Sequence, residues 1–123
     1  MISFDSFIPQ EGVPIYLQIV KHIKSGIVSG TIVSGDEVPS RRVLSSLLGV
    51  NPNTIQKAYK MLEEDGLMES RSGAKSYMIF DSEAIASVRK ELLESHVASI
   101  IGSLKQMGLT KEEALALIEK NWE

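Results

Sequence analysis

A chain of 123 residues, 43% of them hydrophobic, can build one real core with a modest appendage, which excludes two large domains. No apolar run approaches the ~18 residues of a membrane span, Met1-Ile2-Ser3-Phe4-Asp5 is no signal peptide, and the absence of cysteine with only His22 and His96 leaves no metal or cofactor expected in a cytoplasmic protein. The formal net charge of −3 argues at first against a nucleic-acid partner.

In chain order, a short start carrying Ile2 and Phe4 precedes a segment in which Ile15, Tyr16, Ile19, Val20, Ile23 and Ile27 recur at steps of three and four, predicting a first helix from Pro14 to Ser29. Proline suits its first turn, and Gly30 stops it. Residues Thr31 to Pro39 read as a turn-rich connection. Ser40 then caps a short second helix whose buried stripe is expected to be Val43, Leu44, Leu47 and Leu48. Gly49 ends it, and Asn51-Pro52, a cap followed by proline at the first helical position, opens a third helix with Ile55, Ala58, Tyr59 and Leu62 facing inward. Two helices joined by so short a glycine-containing turn have the spacing of a helix-turn-helix.

Leu67 to Ser70 and Ser76 to Phe80 are short and strand-like, and Arg71-Ser72-Gly73-Ala74-Lys75 between them reads as a hairpin tip, a wing. Asp81 or Ser82 caps a long fourth helix reaching about Met107, its apolar face carrying Ile85, Val88, Leu92, Ile100, Leu104 and Met107, broadened by Leu93, Val97 and Ile101. Gly108 breaks it. Thr110 to Glu113 fits a capping box for a fifth helix lined by Ala114, Leu115, Leu117, Ile118 and Trp122. The expected fold is mostly α with a small β-hairpin wing: a winged helix-turn-helix over residues 1–80 and a two-helix dimerisation tail over 81–123.

Four stretches in this order resemble the GntR family of bacterial regulators, and its small YtrA-type branch in particular: Pro14-Ile15-Tyr16-Leu17-Gln18-Ile19, Val38-Pro39-Ser40-Arg41-Arg42, Leu48 through Tyr59, and Leu62-Glu63-Glu64-Asp65-Gly66-Leu67. The resemblance covers about residues 10–80, and the short tail is similar to the YtrA arrangement. It implies a sequence-specific DNA-binding transcription regulator and places a DNA-contacting arginine at Arg42; an enzyme is not expected, because no nucleophile and base pair, phosphate loop or metal cluster appears in the sequence. The wing departs from the family pattern: Gly73 is kept, but Lys75 and Ser76 replace a second glycine and a threonine.

Charge distribution removes the first objection. Residues 1–80 are balanced, with six of their eight basic residues between Arg41 and Lys75, so the acidity belongs to the tail. The inward residues of the third helix leave Asn53, Thr54, Gln56, Lys57 and Lys60 outward. Asn53 and Gln56 are candidates for bidentate contact with adenine, and Lys57 for a guanine edge or a phosphate. Arg41 and Arg42 lie where a helix start already favours phosphate, with a plain solvated residue as the competing reading of Arg41. Asn51 and Thr54 are also expected among the DNA-binding residues, and Ser72, Gly73 and Lys75 would meet backbone or minor groove.

A helix of about 25 residues is ~37 Å long, too long for the winged unit and the fifth helix to cover its apolar face, and a second copy is the natural cover. The expected dimer residues are Ile85, Val88, Leu92, His96, Ile100, Leu104, Leu115, Ile118 and Trp122. Such a dimer reads a palindromic operator, and repression needs only an occupied promoter. His96 reads as a hydrogen-bonded interface residue or a ligand site, and His22 as surface. Gly102 marks a bend or a close helix crossing. A small-molecule effector stays open as a partner; a winged-helix protein-binding adaptor is the alternative function, disfavoured by the polar outer face of the third helix.

Overall fold

The computed structural model describes residues 1–71 and 75–123, which form two compact units, Met1–Arg89 and Lys90–Glu123. Helices α1 (Ile15–Ser29), α2 (Arg41–Leu48) and α3 (Pro52–Glu64), with strands β1 (Glu37–Val38), β2 (Met68–Arg71) and β3 (Lys75–Met78), build the first unit. Helices α4 (Ser82–Gln106) and α5 (Lys111–Asn121) complete the chain, α4 contributing residues to both units. Among the described residues no helix is long and apolar enough to cross a membrane.

The core of the first unit follows the expected periodicity. Ile19, Ile23 and Ile27 of α1, Leu44 of α2, Ile55 and Leu62 of α3 and Met78 of β3 are essentially inaccessible to solvent. Pro14 caps α1 rather than beginning it, its carbonyl accepting from the Leu17 and Gln18 N–H groups. Gly26 lets Ile32 fold back onto α1, since a Cβ there would stand 2.5 Å from Ile32 Cδ1. The Gln18 side chain clamps the preceding loop through the Gln10 N–H and the Gln10 and Val13 carbonyls. Lys24, buried on α1, pairs with Asp65 at the end of α3 at 3.0 Å.

Four further expectations change. The connection after α1 contains β1, which pairs antiparallel with β3 and makes the hairpin a three-stranded sheet of order β1-β3-β2. On α2 only Leu44 and Ser45 are buried, whereas Val43 (55%) and Leu47 (64%) are exposed. Eight residues make barely two turns, and the face held against α3 is too narrow for four apolar positions. His22 is no bare surface residue: its ring stacks on Phe4 at 4.6 Å and meets Phe7 edge-on, pinning the amino-terminal segment to α1. Val88, an expected dimer residue, is 5% exposed, so it serves the core of its own chain.

Asp81 caps α4 within the first unit through the Ala84 N–H, and in the second unit the Thr110–Glu113 capping box on α5 has both of its bonds. Between the helices runs an apolar groove of about 740 Å³ lined by residues such as Ile100, Leu104, Leu115, Ile118 and Trp122. No residue of α5 is buried.

Candidate nucleic-acid interface

The turn between α2 and α3 is short because its backbone groups find local partners. Gly49 takes φ +68°, a left-handed conformation disfavoured for other residues, and the Ser45 and Val50 backbones and the Ser45 hydroxyl close the loop. Asn51 Oδ1 accepts from the Asn53 N–H at 2.8 Å, and Pro52 needs no acceptor at the first helical position. Asn51 is thus committed to holding the first turn of α3 in place.

On α3 the inward set is Ile55, Ala58, Tyr59 and Leu62, leaving Asn53, Gln56, Lys57 and Lys60 exposed and Thr54 half-buried. Tyr59 is the joint. Its hydroxyl donates to the Pro39 carbonyl at 2.6 Å, tying α3 to the residues that lead into α2. Burial pushes its ionisation well above the ordinary tyrosine range, so it stays a donor. Ser40 caps α2 by accepting from the Val43 N–H. Arg41 and Arg42 in this first turn are exposed, and Arg41 Nη1 donates to Gln56 Oε1 across the gap between the helices. Lys57 extends toward α1, its Nζ 4.1 Å from the centre of the Tyr16 ring.

Lys75 begins β3, exposed and in register with Arg71 of β2. Ser72 and Gly73 lie outside the described residues. Arg71, not among the residues expected to touch DNA, stands opposite Lys75 in the hairpin. Its guanidinium is held by Glu69 at 2.7 Å and lies over the Tyr77 ring. Between the start of α2, α3 and the sheet is a cleft of about 400 Å³ whose lining includes Arg41, Gln56, Lys75, Glu37 and Glu63. Two acidic side chains there were not expected from the local run of basic residues. The structure brings Arg41, Gln56 and Lys75 around one cleft, and Lys57 turns to the α1 side.

A turn-linked helix pair with a polar outer face and a hairpin beside it is the architecture that the sequence resemblance implied. The family model for bacterial regulatory proteins of the gntR family matches residues 15–77. The transcriptional repressor YtrA of Bacillus subtilis is 35% identical over 98% of this chain and 85% of its own. The chain is a GntR-family regulator of the YtrA type. A GntR family transcriptional regulator from Listeria monocytogenes has a similar structure, with a TM-score of 0.76 at 34% identity over 91% of this chain and 98% of that one. The AraR DNA-binding domain, solved in complex with the operator ORE1, is similar at a TM-score of 0.50 and 30% identity over 58% of this chain and 88% of that one. This GntR-family chain is therefore a DNA-binding transcription regulator with a winged helix-turn-helix, and its relatives are regulators, not enzymes.

Proposed function

We propose that this regulator is a cytoplasmic repressor that binds a roughly palindromic operator as a homodimer, residues 1–80 carrying the DNA-binding surface and most of 81–123 the self-association. The observation that carries the reading is the exposed polar face of α3, Asn53, Gln56 and Lys57, beside Arg41 and Arg42 at the start of α2. Thr54 and Lys75 extend it and Asn51 belongs to its margin, while Ser72 and Gly73 are proposed for the DNA contact from the sequence. Phosphate contacts from Arg42 and Lys75 add affinity without sequence preference, while amides on α3 supply the preference. The repressor named YtrA, similar along nearly the whole chain, supports repression over activation.

The homodimer is supported by the apolar groove and by the solvent exposure of Ile100, Leu115, Ile118 and Trp122. Leu92, Leu104 and the first-unit residue Ile85 are half-buried and His96 is exposed on the same helix, whereas Val88 is withdrawn from the set. Two copies related by a twofold axis present recognition helices to half-sites about one DNA turn, ~34–36 Å, apart.

The test is binding of the full chain to promoter DNA of its own operon, followed by fluorescence anisotropy over a salt series. Wild type binds as two copies per site, and Lys75→Ala, which removes one phosphate contact from each copy, weakens binding to all duplexes alike while reducing the log–log salt slope by about 2. Equal affinity of wild type and the Arg42→Ala/Gln56→Ala double variant for every duplex overturns the site. The single tryptophan reports association: Trp122, 82% exposed, shifts its emission to the blue as concentration rises. An unchanged spectrum and a monomeric mass at micromolar concentration overturn the dimer.

A further inference from the structure

We infer that Arg41 and Gln56 read one operator position as a unit and select guanine there, a statement that rests on the DNA-binding reading above. A free glutamine amide matches adenine, accepting from N6–H with Oε1 and donating to N7 with Nε2. Here Oε1 accepts from Arg41 Nη1, which takes up one of its two lone pairs, sets a cation beside the other and turns the amide so that Nε2 is its free donor. The guanidinium beside it keeps its other N–H donors and its positive charge. The pair therefore offers donors side by side. Guanine presents two acceptors, N7 and O6, on its major-groove edge, whereas adenine presents N7 and an amino group that would meet these donors as another donor.

The surroundings favour a base over a phosphate as the target of Arg41. Glu37 and Glu63 line the cleft that Arg41 and Gln56 share with Lys75, and their negative charge offsets that of the two cations and weakens the pull on a phosphate at Arg41. Tyr59, bonded to Pro39, fixes the start of α2 against α3 and so holds Arg41 within reach of Gln56. Arg41 is thus a positioning residue for the Gln56 amide as well as a reader of the base.

Selection from a random duplex pool by the full-length protein, followed by sequencing, tests this. Wild type selects guanine over adenine at one position of each half-site by on the order of tenfold. Arg41→Ala frees the amide and moves the preference at that position to adenine, and Gln56→Ala flattens the same position. Both side chains are exposed, so the variants keep the wild-type thermal transition. Adenine selected by wild type at the position that Gln56→Ala flattens overturns the inference, as does an Arg41→Ala variant that loses affinity uniformly with unchanged base frequencies. Failure of wild type to enrich any sequence removes the DNA-binding reading itself, and this inference with it.

Discussion

The two units of this chain spend the same kind of residue in opposite ways. In Met1–Arg89, isoleucines and leucines at helical spacing close over one another until the core positions are dry. In Lys90–Glu123, Leu93, Val97, Ile100, Ile101, Leu115, Leu117 and Ile118 recur at similar spacing and each stays roughly half exposed. Two helices joined by a turn can cover only the strip where they face each other, so local helix signals, however strong, leave the rest of an apolar face open. A unit of this kind is well specified in secondary structure and unfinished in packing, which is why the homodimer is proposed for it.

The sharpest way to break that contrast is a matched pair of truncations. Leu62→Ala, in a dry position of α3, should lower the unfolding free energy by about 2–5 kcal/mol in urea titration. Ile118→Ala should change the same transition by less than about 1 kcal/mol at concentrations where the chain is monomeric. Equal losses would mean that the second unit is as well packed as the first.

Next in size, Tyr59→Phe removes one hydroxyl and leaves the buried Pro39 carbonyl without its donor, for a loss of about 1–3 kcal/mol by the same measurement. Smallest and most diagnostic is one substitution made in both units. Gly26→Ala drives a methyl into Ile32 and should cost about 1 kcal/mol even after the helix-propensity gain. Gly102→Ala, where a Cβ meets nothing within 4 Å, should instead raise stability by up to about 1 kcal/mol in thermal unfolding of the dilute chain. A gain at both positions would sink the claim that Ile32 is tightly seated on α1.

Most helices of the fold were legible because their caps and periodicities agree: Ser40, Asn51-Pro52 and the Thr110–Glu113 box mark starts that the structure keeps. Strand β1 was not, since two residues carry no alternation, and its pairing partner lies almost forty positions further on. The exposure of Val43 and Leu47 was hidden for a related reason: hydrophobicity reports what a residue tolerates, and only the packed neighbour decides which face is used. At the candidate site, the outward residues of α3 followed from the inward ones. The Arg41–Gln56 pair did not, because it joins side chains from two helices whose separation is set by Tyr59 and Pro39.

Strand β3 lies between its two neighbours, and the loop before β1 is stitched to it by the bonds Gly35 N–H to Met78 O and Met78 N–H to Asp36 O, both 2.8 Å. The Phe80 N–H adds another link, to Ser34 Oγ. Amides of the inner wing strand and of the segment leading into α2 therefore share their closing bonds. In hydrogen exchange they should open together as one cooperative block, with the Gly35 and Met78 amides showing the same protection and the same denaturant sensitivity. Loosening the wing would then loosen the approach to Arg41 at the same moment.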